Sequence, residues 1–95
     1  MPRLLSDEEV EEGLKKLKGW RRDEAFLAKD FKFKTFMEGI AFVNKVSETA
    51  EKLDHHPDIH VRYTAVGLRV QTHYEGGVTA RDFKLAEAID QSMKN

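Results

Sequence analysis

The sequence contains no cysteine, no long hydrophobic run and no block of charge of one sign. Without cysteine the chain can form no disulfide, no thiolate metal site and no thiol nucleophile. There is no run of about 18 apolar residues, and the N-terminal stretch turns acidic after Leu4 and Leu5, so we expect neither a membrane span nor a signal peptide. The 16 basic and 17 acidic residues are interspersed, which argues against nucleic acid as a direct ligand. These absences predict a cytoplasmic protein.

The length of the chain limits the number of domains that it can form. A chain of 95 residues with 40% hydrophobic content suits one domain with a modest core, so we expect a single domain over residues 1–95. A domain of this size has little stability to spare. Self-association that buries more surface is therefore expected.

Three segments have apolar residues at helical spacing, and each begins with a capping residue that an acidic residue follows three positions later. These pairs are Ser6 and Glu9, Thr35 and Glu38, and Thr79 and Asp82. The pattern predicts helices over about residues 7 to 18, over about 36 to 53, and after Thr79. In the third helix the residues expected in the core are Phe83, Ala86, Ile89 and Met93.

Two pairs of strands fill the intervals between the helices. The first pair is predicted over residues 20 to 22 and around the alternating Phe31 and Phe33, with a turn at residues 23 and 24. The second pair alternates at Ile59, Val61 and Tyr63 and again at Leu68, Val70 and Thr72, with a turn near residues 65 to 67. By this parity Tyr63 lies on the apolar face, whereas His60 and His73 point away from it.

The predicted order is α-β-β-α-β-β-α. It indicates an α+β domain in which three helices pack on one face of a four-stranded antiparallel sheet.

All four histidines lie between His55 and His73, and His55-His56-Pro57 falls at the corner between the second helix and the third strand. Clustered imidazoles suit proton transfer in both directions, or metal binding. Metal is the weaker alternative, because Pro57 prevents His56 and His60 from occupying successive turns of one helix and sulfur ligands are missing. No nucleophile elbow surrounds any hydroxyl. We therefore expect acid–base chemistry and no metal site.

The spacing of Glu51, His55-His56-Pro57, Tyr63, Thr72-His73 and Arg81-Asp82 resembles the signature of the pterin-4a-carbinolamine dehydratases. These small pterin-binding proteins are also known in animals as dimerisation cofactors of a homeodomain transcription factor. The resemblance covers nearly the whole chain. One departure is Ile59, where the animal relatives usually carry tryptophan.

The resemblance implies a dehydratase that converts 4a-hydroxytetrahydropterin to quinonoid dihydropterin and water and so recycles the tetrahydropterin cofactor. The pterin is then the substrate, and no separate cofactor is expected. His55 and His73 match the acid–base positions, with Glu51 as the accompanying acidic residue. His56 and Pro57 match substrate-binding positions. Tyr63 and Asp82 also belong to the signature as substrate-binding residues, although an apolar strand face and a helix cap would explain them equally well.

The resemblance leaves the function, the oligomer size, the ligand and the roles of the two histidines open. One alternative function is a non-catalytic pterin-binding or protein-assembly module, since the family includes proteins that stabilise transcription-factor dimers. For this chain we expect a homodimer or homotetramer. Another pterin or a similar carbinolamine is the alternative ligand, and which of His55 and His73 acts as acid is left undetermined.

Overall fold

The computed structural model describes residues 3–94, so Met1, Pro2 and Asn95 of the predicted domain lie outside the described residues. Within them, three α-helices and four strands follow the predicted α-β-β-α-β-β-α order. Their bounds are α1 Asp7–Lys15, β1 Arg21–Asp23, β2 Phe26–Lys32, α2 Phe36–Leu53, β3 Asp58–Arg62, β4 Ala65–Val70 and α3 Ala80–Ser92. The predicted α+β fold is confirmed. Between Arg3 and Lys94, no helix combines the length and apolar character that crossing a membrane requires.

The four strands form one antiparallel sheet in the order β1-β2-β4-β3. The two central strands are in register, with Leu27 opposite Val70 and Phe31 opposite Val66, and these side chains are buried on one face of the sheet. Apolar side chains of the helices complete the core: Val10, Phe42, Val46, Ala50, Leu85, Ala86 and Ile89. Full burial of one such large side chain contributes about 2 kcal/mol. The core therefore holds α2 and α3 against the central strands.

The predicted helix caps form with one exception. The Ser6 hydroxyl accepts from the Glu9 amide at 3.1 Å, and the Glu9 carboxylate accepts from the Ser6 amide at 2.9 Å. At the start of α2, Thr35 accepts from the Glu38 amide at 3.1 Å, but the Glu38 carboxylate accepts from the Lys34 amide instead of that of Thr35. The second capping box is therefore half formed.

The ends of two helices differ from the prediction. Helix α1 ends at Lys15 instead of residue 18, because the amides of Lys16 and Leu17 bond three residues back at 3.1 Å and tighten the chain into turns. Helix α3 ends at Ser92, and Met93 beyond it is exposed instead of buried. The core position that the pattern missed is Leu85, which is fully buried.

The first hairpin is shifted from its predicted position. Strand β1 begins after Trp20, whose ring is buried in the core, and the turn falls at residues 24 and 25, where Glu24 adopts a left-handed φ of 54°. Strand β2 begins at Phe26, well before the alternation that predicted it, and ends before Phe33.

The second hairpin turns two residues earlier than predicted, at Tyr63 and Thr64, where Tyr63 has a φ of 43°. Gly67, expected in the turn, lies within β4, where a Cβ atom would stand 3.0 Å from Asp30 Oδ1. Gly67 therefore packs closely against the Asp30 side chain of the neighbouring strand, which would have to shift slightly for a larger residue. The prediction that Tyr63 lies on the apolar face was wrong, because in the turn its residue surface is 78% exposed. His60 lies on the helix-free face beside Gly67, as predicted.

Candidate active site

The corner between α2 and β3 fixes the directions of the first two histidines. Asp54 follows the helix in the left-handed conformation, with φ 51° and ψ 45°. Its amide and that of His55 bond to carbonyls of the last helical turn at 3.2 and 3.1 Å, which is the Schellman arrangement. Pro57 cannot continue the helix. The chain therefore reverses here, so that His55 is buried and His56 is exposed.

His55 contacts a buried carboxylate on another element. Its Nε2 atom lies 2.5 Å from Oδ1 of Asp82, which is fully buried in the first turn of α3. Asp82 is held there because the cap of α3 begins at Thr79, three residues before it. The capping pattern that starts α3 thus also places the Asp82 carboxylate beside His55.

Two threonines complete the surroundings of Asp82. Its Oδ2 atom accepts from the Thr72 hydroxyl at 3.0 Å and from the Thr79 amide at 2.8 Å. The two hydroxyl oxygens lie 2.7 Å apart, and since the Thr72 proton is given to Asp82, the Thr79 hydroxyl donates to Thr72. Both carboxylate oxygens therefore have partners, which offsets the cost of burying a charge.

This network selects one tautomer of His55. The Thr72 hydroxyl and the Thr79 amide both donate to Oδ2 of Asp82. As a carboxylate, Asp82 accepts at Oδ1 as well, so the proton in the contact with His55 belongs to Nε2. In the neutral ring, Nδ1 then carries the free lone pair. Nδ1 is therefore the ring nitrogen of His55 that is left for proton exchange with a ligand.

His56 makes a second pair in different surroundings. Its Nε2 atom lies 2.5 Å from Oε2 of Glu51, in the last turn of α2, and both side chains are largely exposed. Glu51, the acidic residue of the predicted site, thus contacts His56. Pro57, half-buried, follows the pair directly.

His73 does not lie in a strand, because β4 ends at Val70 and His73 begins a single turn of 3₁₀ helix over His73–Glu75. It is exposed, as predicted. The turn closes through the amides of Glu75 and Gly76, which bond to the Thr72 carbonyl at 3.0 and 2.9 Å. Since Thr72 also bonds to Asp82, the turn that carries His73 is tied to the carboxylate that holds His55.

The sequence prediction gave Thr72, Tyr74 and Arg81 no role in the site and gave Thr79 only that of a helix cap. One signal was available: by strand parity Thr72 falls on the apolar face with Leu68 and Val70, and a buried hydroxyl requires a polar partner. Arg81 contacts the Tyr74 hydroxyl and the Asp54 carbonyl. That arrangement could not be deduced from spacing, because Asp54 lies 27 residues before Arg81.

The structure does not bring Tyr63 to this group. Strand β3 separates it from Pro57, and five strand residues span roughly 17 Å. Its substrate-binding role stays a prediction. Across residues 3–94, no group of three or more histidine and carboxylate side chains is placed to share a metal ion.

Comparison with known proteins identifies the family. Residues 3–92 match the sequence model of a family described as "Pterin 4 alpha carbinolamine dehydratase". Two relatives carry the name "Putative pterin-4-alpha-carbinolamine dehydratase". The one from Metallosphaera sedula is 47% identical over 94 residues, covering 99% of this chain and 97% of the relative. The one from Nostoc sp. is 46% identical over 91 residues, covering 96% and 98%.

Solved structures agree with the fold. A Brucella melitensis crystal structure described as a transcriptional coactivator/pterin dehydratase has a TM-score of 0.89 and 35% identity, covering 94% of this chain and 97% of that one. A pterin dehydratase-like protein identified as a RuBisCO assembly factor shares the fold at a TM-score of 0.64 and 22% identity, over 78% of this chain and 88% of that one. Because residues 3–92 match the family model and a relative of the same name is 47% identical over 94 residues, the chain belongs to the pterin-4a-carbinolamine dehydratase family.

Proposed function

We propose that this protein is a dehydratase that converts 4a-hydroxytetrahydropterin to quinonoid dihydropterin and water. The observation that carries the proposal is the buried His55–Asp82 pair, which Thr72 joins to the turn bearing His73. Family membership and the names of the relatives support the same reaction.

The reaction requires two proton transfers and no change of oxidation state. The C4a–O bond breaks as the leaving hydroxyl gains a proton and departs as water, and N5 loses its proton as the N5–C4a double bond forms. A general acid and a general base therefore have to face the same ring. The pterin is the substrate, and we propose that the reaction needs no cofactor. The product requires only reduction to regenerate a tetrahydropterin, which suits a role in cofactor recycling.

We assign His55 as the base and His73 as the acid. Asp82 accepts from Nε2 of His55, so the neutral ring has a lone pair on Nδ1 with which to take a proton. His73 has no such carboxylate partner among the described residues, and its exposed ring exchanges protons readily with water. Asp82 is assigned to hold His55 instead of contacting the pterin, because it is fully buried.

Glu51, His56 and Pro57 form the outer part of the proposed site. The Glu51 carboxylate holds the His56 ring by its Nε2 atom, which leaves Nδ1 to hydrogen-bond a ligand. Pro57 restricts the backbone that follows. We propose that this pair orients the pterin and does not transfer protons.

The test is to generate 4a-hydroxytetrahydropterin in place and follow its ultraviolet conversion with and without the protein. His55→Ala and His73→Ala should each lower turnover by about 10²-fold, the usual size of a lost general acid or base. The double variant should be slower still, whereas His60→Ala, on the opposite face of the sheet, should match the wild type. Unchanged rates in both single variants would overturn the proposal.

The pH dependence tests the assignment of acid and base. A base has to be deprotonated and an acid protonated, so together they give a bell-shaped profile of kcat/KM. Replacing His55 should remove the limb that rises with pH, and replacing His73 should remove the limb that falls. The opposite pattern would exchange the two roles.

We also propose that the protein forms a homodimer or homotetramer. Phe36 and Met37 at the start of α2 are exposed, Met37 by 67%, and Val61 is exposed on the edge strand β3. Burial of this apolar surface would favour association. Light scattering at micromolar concentration should give a multiple of the 11.0 kDa chain mass. A monomer that nevertheless dehydrates the pterin would remove this proposal and leave the catalytic one intact.

A further inference from the structure

Arg81 bonds to the residue that precedes one proposed catalytic histidine and to the residue that follows the other. One guanidinium nitrogen donates to the Tyr74 hydroxyl at 2.7 Å, and the other terminal nitrogen donates to the Asp54 carbonyl at 2.6 Å. Asp54 is the residue before His55, and Tyr74 is the residue after His73. The guanidinium therefore spans from one histidine-bearing segment to the other.

Both anchored segments receive a hydrogen bond from outside themselves. Asp54 adopts the left-handed conformation that ends α2, and its carbonyl is the atom that Arg81 binds. Tyr74 is exposed and lies in a single 3₁₀ turn, whose backbone bonds are local to residues 72 to 77. A short exposed turn of this kind opens easily. The contact from Arg81 ties it to α3.

Arginine suits this bridge because its planar fork presents donors on separate nitrogens in a fixed geometry. Lysine has one ammonium group and would reach one acceptor or the other. Arg81 also adjoins Asp82, which binds the His55 ring. The first turn of α3 therefore restrains His55 twice, at the ring through Asp82 and at the preceding carbonyl through Arg81.

We propose that Arg81 and Tyr74 act together as a positioning unit that sets the spacing between the His55 and His73 rings. The inference rests on the proposed dehydratase function. Neither side chain touches the reacting atoms in this scheme. Their effect is to hold the acid and the base where a single pterin ring can meet both, and small displacements of such groups are costly.

The kinetic test compares Arg81→Met, Arg81→Lys and Tyr74→Phe with the wild type. Arg81→Met should lower kcat by roughly 10-fold or more with a smaller change in KM, since a misplacement near 1 Å can cost 10²-fold. Tyr74→Phe removes one hydroxyl and should lower kcat less. Because the two residues act through one bond, the double variant should be no slower than Arg81→Met alone. Arg81→Lys should not restore the wild-type rate. Lys84→Gln, at an exposed position of α3, is the matched control and should leave kcat unchanged.

A structural readout separates this inference from the proposed function. In ¹H–¹³C spectra of the histidine rings, Arg81→Met and Tyr74→Phe should shift the His55 or His73 resonances, while His60 on the far face of the sheet stays unchanged. If the wild type fails to dehydrate the pterin, the proposed function fails, yet the spectra still report on the bridge. Additive kinetic losses, or histidine resonances that do not move in Arg81→Met, would overturn the positioning role.

Discussion

The two histidine–carboxylate pairs of this protein have the same contact distance in opposite surroundings. Nε2 lies 2.5 Å from a carboxylate oxygen in both His55–Asp82 and His56–Glu51. The side chains of the first pair are 9% and 0% exposed, and those of the second are 55% and 76% exposed. Adjacent histidines on one corner of the chain thus make one buried and one solvated pair.

The comparison shows that the contact distance alone does not determine how much a histidine–carboxylate pair contributes to stability or to proton transfer. In the buried pair, water cannot replace a lost partner, so removing one group leaves the other without a hydrogen bond. In the exposed pair, water solvates both groups and salt screens their attraction. The buried pair should therefore control stability and proton transfer together, and the exposed pair should affect ligand binding with little effect on folding.

The largest expected effect is that of Asp82→Asn. The variant keeps the shape of the side chain but brings an amide donor into a site with donors on all sides, so we expect a loss of stability on the order of 3 kcal/mol. Turnover should fall by about 10²-fold, because the His55 ring loses its fixed tautomer. Urea denaturation and the dehydration assay measure the two effects.

Asp90→Asn provides the control for that variant. Asp90 lies on the same helix, where it accepts from Lys29 and from the Trp20 ring nitrogen away from the histidines. The Asp90→Asn variant should be less stable than the wild type, with kcat unchanged. If Asp82→Asn behaved like Asp90→Asn, with stability lost and turnover intact, the link between Asp82 and catalysis would be disproved.

Thr72→Val should give an intermediate effect. Valine has nearly the same shape but removes the hydroxyl that donates to Asp82 and accepts from Thr79, at a cost of about 1–3 kcal/mol. Turnover should also fall and its pH profile should shift, since Asp82 loses a donor. Thr72→Ser retains the hydroxyl and should keep the wild-type pH profile. Equal profiles in both variants would show that the hydroxyl does not act on His55.

Glu51→Gln should have a small effect on folding. Because both side chains of the pair are exposed, the free energy of unfolding should change by less than about 0.5 kcal/mol. If the pair orients the pterin, KM should rise by several-fold while kcat changes little, as steady-state kinetics would show. A fall in kcat comparable with that of His55→Ala would instead place Glu51 in proton transfer.

The smallest effect concerns an exposed pair outside the site, Arg3 and Glu9. The hydrogen bond from Arg3, followed by that from the Ser6 amide, lowers the pKa of Glu9 to about 2. A lowered folded-state pKa stabilises the protein above the ordinary glutamate value of about 4.5, and this contribution is lost as pH falls towards 2.

A side-chain NMR titration can measure the pKa of Glu9. Arg3→Ala should raise the Glu9 midpoint towards its ordinary value and flatten the acid limb of the stability profile, with turnover at neutral pH unchanged. An unchanged Glu9 midpoint in Arg3→Ala would show that the ion pair does not cause the shift.

Local patterns predicted most of the fold because they involve neighbours in sequence. The caps at Ser6 and Thr79 depend on residues three positions apart, and both formed as predicted. The apolar residues of α2 recur at helical spacing, and Phe42, Val46 and Ala50 among them are buried, whereas Phe36 is exposed. The structure turns at Tyr63, whereas the local pattern predicts the turn near Gly67. Its actual use, close packing beside Asp30, depends on a partner strand that the local pattern does not contain.

By itself the sequence determined the order of elements, the corner that Pro57 enforces, and the set of histidines and carboxylates available for chemistry. The tertiary structure decided how they pair. Glu51 reaches His56 because both lie at one helix end, whereas His55 reaches Asp82, 27 residues away, because the core packs α3 against α2. Burial of Asp82 follows from that packing, and burial gives the His55–Asp82 contact its strength. Spacing along a chain shows which groups are present, but only packing sets the distance and the solvent exposure on which their chemistry depends.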